Sequence, residues 1–451
     1  MNILEKYQVN SIEDITPQLV MQLIERYEMN EVPRLEKLYE YYLGETEITR
    51  RVMADPNKPN NKIVNPFSSL ITDTIVGYFA GKPVNYQSED KELMIKLQDV
   101  FDKNHEHTHN KKLTQKLTVM GLAYELLYLN EEAEIGVSTS DPRETFLIYD
   151  TTIEENVLAG VRFIDVPDYL TDSHTKIIYV YTDEYSFKYQ QDGDTLEVLE
   201  QEPHTFKGVP IIQYRNNDDL LGSFERVMSL IDAYDLAVSD TENNLEYFAD
   251  AYLAITGAEF EDDSDVATMK EERVILLPDG SKAEWLTKEM SQEVEEFKKR
   301  LKEDIHQLSQ IPNLADESFN NQQSGEALKY KLFGLENLVS VTEGYFKQGI
   351  ERRIELVTNI LNVKSPTAYD YTSVSVVFTR NIPQNLTNLA DIASKLVGIV
   401  SNETLYTLMP FIDDPALEAL RFEKEEPFSR DEFHTEIEEL AQEEVEEVEV
   451  D

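Results

Sequence analysis

Apolar positions in the first hundred residues recur at helical spacing. Leu19, Leu23, Ile24 and Tyr27 share one face of a segment opening on Pro17, a residue suited to a first helical turn. Pro33 breaks or restarts that helix, Leu35, Leu38, Tyr39 and Tyr42 carry the next apolar face, and Gly44 suits a C-cap. A polar loop over 54–62 leads to a helix over 66–80, stopped by Gly81 and Pro83. Two more helices are predicted over 90–103 and 108–122. The period then drops to two. Ala123–Asn130, Glu134–Ser138, Thr145–Asp150, Ala159–Asp165, Lys176–Tyr181, Glu184–Gln190 and Thr195–Glu202 read as β-rich, aromatic strands, separated by turns such as Asp192-Gly193-Asp194. This mixed region ends near Arg215.

From Ser223 the period returns to 3.6, with Phe224, Val227, Leu230, Ile231, Tyr234, Leu245, Phe248 and Tyr252 on an interrupted stripe. A helix continuous from Ser223 to Ala254 would be about 48 Å long. Three short strands follow, Tyr252–Thr256, Arg273–Leu277 and Ala283–Leu286, with Pro278-Asp279-Gly280 as a turn. Glu289–Leu308 is the clearest helix. Met290, Val294, Phe297, Leu301, Ile305 and Leu308 form its stripe, and Glu295–Lys299–Glu303 and Glu296–Arg300–Asp304 lace its outer face. Ile311-Pro312 ends it. A polar loop, Asp316–Gly325, leads to a long helix over Glu326–Asn362, about 55 Å if unbroken, with Gly334, Gly344 and Gly349 as weak points. A strand over Ser373–Thr379 and short helices over 385–425 complete the pattern, with Ser401 and Asp413/Asp414 as caps. No short internal repeat occurs. The layout is α+β and nested: a small β region between two helices, inside two mixed segments.

Composition narrows the function. The 451 residues are 41% hydrophobic, enough for a core. The net charge of −47 opposes a protein that wraps DNA by neutralising phosphates and one that docks on anionic membranes. Absence of cysteine removes disulfides, thiolate nucleophiles and zinc–thiolate sites. Met1–Val20 contains no apolar stretch of a targeting signal, and no run of 18 apolar residues suggests a transmembrane helix. From Glu423 to Asp451, 14 acids face two bases, Lys424 and Arg430, and a solvated, disordered tail is expected there.

One motif invites a catalytic reading. His105-Glu106-His107-Thr108-His109 matches H-E-x-x-H, in which imidazoles at i and i+4 bind zinc and Glu106 acts as general base. Its flanks are polar, however, and a third ligand would have to come from an acid such as Glu125. An exposed helix junction is the plainer alternative. No nucleotide-cradling glycine loop and no G-x-S-x-G elbow is present.

Several segments, in order, resemble the portal proteins of long-tailed double-stranded DNA bacteriophages, in the siphophage branch of Gram-positive hosts. They are Tyr41-Tyr42-Leu43-Gly44; Pro59-Asn60-Asn61-Lys62-Ile63-Val64-Asn65-Pro66; Val76-Gly77-Tyr78-Phe79-Ala80-Gly81-Lys82-Pro83-Val84; and Gly121-Leu122-Ala123-Tyr124-Glu125-Leu126-Leu127-Tyr128. Further along come Gly222-Ser223-Phe224-Glu225-Arg226-Val227 with Leu230-Ile231-Asp232-Ala233-Tyr234-Asp235, then Ser309-Gln310-Ile311-Pro312 with Ser324-Gly325-Glu326-Ala327-Leu328-Lys329-Tyr330-Lys331-Leu332. The order holds from about residue 35 to about 425. No motif matches in Glu423–Asp451.

The resemblance implies a non-enzymatic ring, usually a dodecamer, at a capsid vertex of the virion. Its axial channel passes viral DNA in packaging and ejection, and the ring is assembled in the host cytoplasm. The implied partners are further copies of the chain, double-stranded DNA, a terminase that hydrolyses ATP, major capsid and scaffolding proteins, and head-completion or adaptor proteins. No cofactor or metal and no membrane is implied. Mapped onto this chain, the portal fold gives a wing over 1–222, stem helices over 223–254 and 289–310, and a clip over 255–288. A tunnel-loop region follows over 311–325, a long wing helix and returning strand over 326–383, a crown over 384–428 and an acidic tail over 429–451. Subunit packing is expected at Val294, Phe297 and Leu301, clip contacts at Ile275, Leu277 and Trp285, and DNA contact at Asn320, Asn321, Gln322 and Gln323. A largely repulsive wall would keep friction on a sliding duplex low, which gives the acidic balance a role. The competing readings are a zinc-dependent hydrolase on His105, Glu106 and His109, and a cytoplasmic helical scaffold or adaptor.

Overall fold

Caps and breakers set the first elements. In the computed structural model, which describes residues 6–56, 58–169, 173–193, 195–249, 252–256, 282–286, 292–313, 330–381, 393–407 and the single positions 409, 412, 418, 421 and 422, strand β1 (Tyr7–Val9) precedes helix α1 (Pro17–Asn30). The Thr16 hydroxyl accepts the Leu19 N–H at 3.2 Å and Pro17 opens the first turn. Helix α2 (Val32–Leu43) restarts around Pro33 and ends on Gly44 at φ 87°. Its buried face is Leu35, Leu38 and Tyr41, whereas Tyr39 and Tyr42 are half-buried. Helix α3 (Phe67–Phe79), strand β2 (Asn85–Gln87) and helix α4 (Lys91–Lys103) follow, with the Asp90 carboxylate capping α4 at the N–H groups of Glu92 and Leu93. Helix α5 (Glu106–Met120) starts two residues earlier than its apolar spacing suggests. It ends on Gly121 at φ 86°, where a Cβ would stand 1.9 Å from the Leu220 carbonyl oxygen, so no other residue fits.

The period-two region forms two sheets. Strands β3 (Leu122–Leu129) and β4 (Ile135–Ser140) are hairpin partners, and β5 (Thr145–Asp150), β6 (Val157–Asp168), β7 (Ser173–Tyr181), β8 (Tyr185–Asp192) and β9 (Thr195–Pro203) run as an antiparallel meander. Strand β1 adds in parallel to β5, giving six strands in the order β1-β5-β6-β7-β8-β9. Strand β10 (Ile211–Arg215) joins β3, giving the order β10-β3-β4. Helix α1 is stapled to the larger sheet by Tyr27, whose ring meets Tyr7, Phe146 and Phe163 and whose hydroxyl donates to the Pro142 carbonyl at 2.5 Å.

The region from Ser223 to Leu308 departs in detail from the pattern. A 3-10 turn at Glu225–Val227 precedes helix α6 (Met228–Ala249), which stops before the segment Tyr252–Thr256 becomes strand β11. The helix is therefore not continuous to Ala254, and Tyr252–Thr256 is the strand that alternation predicts. The alternating Tyr-Leu-Ala-Ile-Thr run pairs antiparallel with β12 (Lys282–Leu286), Leu253 opposite Trp285. Helix α7 (Gln292–Leu308) then returns against α6. Helix α8 (Phe333–Lys364) runs through Gly334, Gly344 and Gly349 as one element. Gly349 is there for closeness: a Cβ would lie 2.4 Å from the Tyr214 ring. Phe346 packs on Phe79 and Tyr214, so α8 covers the three-stranded sheet and joins it to α3. The predicted strand over Ser373–Thr379 contracts to β13 (Ser375–Val377), paired with β2 and preceded by a 3-10 turn at Tyr371–Ser373.

The chain divides into two units, Met1–Asn381 and Ile382–Asp451. In the second, helix α9 (Asn402–Thr407) is capped as expected, the Ser401 hydroxyl accepting the Thr404 N–H at 3.3 Å. Arg273–Leu277, the Pro278–Gly280 turn, Asp413/Asp414 and the acidic tail lie outside the described residues. Among the described residues, no helix is long and apolar enough to cross a membrane. The fold is α+β.

Candidate functional site

The H-E-x-x-H residues do not converge on one point. His105 is not on the helix: it precedes α5 at φ 50° and is exposed. Glu106 and His109 are buried. His109 Nε2 lies 2.7 Å from Glu125 Oε1 on β3, so the acid suspected as a third ligand does meet this histidine. The cation between the acids, however, is Arg353 of α8. Its Nε donates to Glu125 Oε2 at 2.9 Å, NH1 to Glu106 Oε1 at 3.2 Å and NH2 to Asn110 Oδ1 at 2.9 Å. Tyr214 donates to Glu125 and Tyr86 to Glu106, and the Asn110 amide also donates to Glu106.

Burial alone would raise the Glu125 carboxyl. The Arg353 guanidinium and the His109 hydrogen bond overcome it and hold the pKa down at about 2. Burial lifts the Tyr214 and Tyr86 hydroxyls well above their ordinary value. Both carboxylates are committed to a guanidinium, and His105 stands outside the helix that was to pair it with His109. The zinc-hydrolase reading is therefore set aside. No group of three metal-ligating side chains forms among the described residues. The cluster ties α5, β3, β10, β2 and α8 into one core.

The other sequence-predicted residues fare unequally. Leu301 and Ile305 of α7 are buried, but Val294 and Phe297 are 38% and 52% exposed and Leu308 is 63% exposed. The stripe is therefore satisfied within the chain at its middle and left bare at both ends. Trp285 sits on β12, opposite Leu253 in the backbone register. Ile275, Leu277 and Asn320–Gln323 lie outside the described residues.

One element was missed by apolar periodicity. Asp235, Ser239, Asn243 and Glu246 recur on α6 at steps of three and four, and this polar face grips the extended segment 61–65. Asn243 Oδ1 accepts the Asn61 N–H at 2.7 Å, Ser239 Oγ the Ile63 N–H at 2.9 Å, and Asp235 Oδ1 the Asn65 N–H at 2.8 Å. Asp235 is fully buried and also takes the Thr46 hydroxyl at 2.7 Å. Arg51 closes the strap, donating to Asp240 at 2.6 Å and to the Asn61 carbonyl at 2.8 Å. The signal was present as a polar rather than an apolar stripe. The Pro-Asn-Asn-Lys-Ile-Val-Asn-Pro segment is this strap.

Comparison with known proteins places the chain in a family. Residues 22–449 match the family model described as phage portal protein, SPP1 Gp6-like. The portal protein of Bacillus phage SPP1 is 22% identical over 443 residues, covering 90% of this chain and 86% of its own length. The portal protein of Clostridium phage phiCD119 is 24% identical over 409 residues, covering 83% and 88%. Among solved structures, a chain from the neck of an empty GTA particle, computed with C6 symmetry, is similar over 76% of this chain and 90% of its own, at 12% identity and a TM-score of 0.47. A match running from the first helix into the acidic tail shows that this chain belongs to the SPP1 Gp6-like family of phage portal proteins.

Proposed function

We propose that twelve copies of this chain close into a ring at one vertex of a phage capsid, and that the axial channel conducts double-stranded DNA during packaging and ejection. The observation that carries this reading is the portal-family match across residues 22–449. The nested architecture supports it: α6 and α7 bracket the β11–β12 pair as a hairpin, in the order stem, clip, stem. Residues 1–222 are then the wing, 255–288 the clip and 384–428 the crown, with 311–325 supplying the loop that narrows the channel. The role is structural, and ATP hydrolysis falls to a separate terminase docking on the ring. Capsid, scaffolding and head-completion proteins are its other partners, and its place is the virion after assembly in the host cytoplasm.

Electron microscopy of the purified chain in negative stain tests this reading. Annuli with a central hole are expected, with twelve-fold class averages. A population of monomers or of compact oligomers without a hole would overturn it.

A further inference from the structure

A pocket of ≈ 230 Å³ lies between the β1–β5 edge of the six-stranded sheet and strands β3 and β10 of the smaller one. The portal reading makes no use of it. Its wall grades in polarity from inside to outside. Tyr7, Tyr124, Phe146 and Tyr149 are buried, Gln213 and Arg215 are half-buried, and Asp218 and Asp219 are exposed. At that size the pocket falls below the ~300 Å³ at which sites for drug-sized ligands begin. It has room for one apolar side chain and a polar group attached to it.

The polar wall is rigid. Gln213 is held at both ends of its amide: Nε2 donates to the Tyr124 hydroxyl at 3.0 Å, and Oε1 accepts from the Tyr149 hydroxyl at 3.2 Å and from Arg215 Nε at 3.0 Å. Burial raises the pKa of both tyrosines, so both hydroxyls stay protonated. The turn that carries the two aspartates is fixed as well. Asn217 Oδ1 accepts the Leu221 N–H at 3.0 Å, its amide donates to the Leu221 carbonyl at 2.8 Å, and Arg34 donates to the Leu220 carbonyl at 2.9 Å. Leu220 is thereby kept at φ 55°, a left-handed conformation that an L-residue adopts only where its surroundings impose it.

Charge selects the ligand. Arg215 has no carboxylate within ion-pair reach among the described residues, although the chain carries a net charge of −47. Its polar neighbours are neutral, the Gln213 amide and the Tyr149 hydroxyl. Lys6, also on the wall, is committed to Glu155 at 2.6 Å, and Asp219 faces Arg226 at 3.7 Å. A planar carboxylate matches the guanidinium fork. Asp218 and Asp219 at the rim repel a ligand of several negative charges, which leaves a single carboxylate joined to an apolar body. We propose that the pocket binds the carboxyl-terminal residue of another protein chain, its carboxylate on Arg215 and its apolar side chain among Tyr7, Tyr124, Phe146 and Tyr149. A chain end combines both features in one residue, and the backbone N–H groups that precede it suit the Asp218 carboxylate. Every lining residue lies in the first unit of one subunit, so the site is complete without the ring.

Isothermal titration calorimetry on the full-length chain tests this with acetylated Gly-Gly-Phe and Gly-Gly-Leu, each with a free carboxyl group and each as the amide. At least one free-carboxyl peptide should bind, about tenfold or more tighter than its amide. In Arg215→Gln, at the parent's melting temperature, that preference should disappear, and Arg215→Lys should restore part of it. Lys6→Gln should bind like the parent, because its ammonium is already paired with Glu155. Absence of binding by both free-carboxyl peptides, or equal binding of carboxyl and amide forms, would overturn the site. A preference that survives in Arg215→Gln would remove Arg215 from it. N-acetylphenylalanine or N-acetylleucine binding as tightly as the matching tripeptide would mean that the pocket takes a free small carboxylate, and would overturn the assignment to a chain end.

Discussion

At the scale of single residues, Arg353 has the largest consequence. It is 1% exposed and touches two carboxylates. Removing one partner from a buried ion pair leaves an uncompensated charge, at a cost of about 3–5 kcal/mol. Arg353→Met should lower the unfolding free energy of the isolated subunit in urea by that amount, and adding Glu125→Gln should recover part of it. A loss in the single variant that the second substitution does not lessen would show that packing, not charge, is responsible. The same cluster sets an acid limit. Glu125 has its pKa depressed from 4.5 to about 2 in the folded chain, so its contribution is fully present above pH 4.5. It is lost as the pH falls from about 4.5 toward 2. Asp141, drawn down to about 2 against its own burial by Arg143 and Lys116, adds over the lower part of that range. Urea midpoints should drop through it, and less so in Glu125→Gln; an equal drop in the variant would remove Glu125 from the account.

At the scale of elements, a face of α6 and a face of α7 behave differently. The apolar face of α7 is half used: Leu301 is 6% exposed, Phe297 52%. An aspartate at 297 can remain in water within one subunit, whereas at 301 it would be forced into the core. Phe297→Asp should therefore leave the subunit folded by circular dichroism but shift sedimentation from rings to monomers. Normal rings would mean that this end of α7 covers nothing. The polar face of α6 holds the strap over 61–65. Asp235→Ala would strand the Asn65 N–H and the Thr46 hydroxyl, a cost of about 1–3 kcal/mol. Hydrogen exchange should speed up over 61–65 and along α6, with β5–β9 unchanged; uniform acceleration would make Asp235 a general core residue rather than a clasp.

At the scale of the whole molecule, the acidic balance bears on the proposed passage of DNA. With a net charge of −47 per subunit, attractive contacts have to be few and local. The uncharged run Asn320-Asn321-Gln322-Gln323 suits brief hydrogen bonds to phosphate oxygens without the pull of a cation. Replacing these four residues with lysines should leave rings intact in micrographs but impair DNA packaging, with the defect eased by added salt. Serines in the same places should be far milder. Parent-level packaging by both would show that the loop does not touch DNA.

Sequence alone determined where most elements begin and end, because caps and breakers act within a turn or two. Thr16 and Pro17, Gly44 and Ser401 did so locally, and alternation marked every strand of the meander from β5 to β9. An ordered set of short segments was enough to point to the portal family. Tertiary structure alone decided the fate of H-E-x-x-H. Its answer is an arginine 228 residues from Glu125, a separation at which spacing carries no information. It also set where α6 yields to the Tyr252–Thr256 strand that alternation had already marked, since β12 pairs with that strand. Periodicity shows which face of a helix avoids water, and the rest of the chain decides what covers it. That is why the stripe on α7 was legible while the split between buried Leu301 and exposed Phe297 was not.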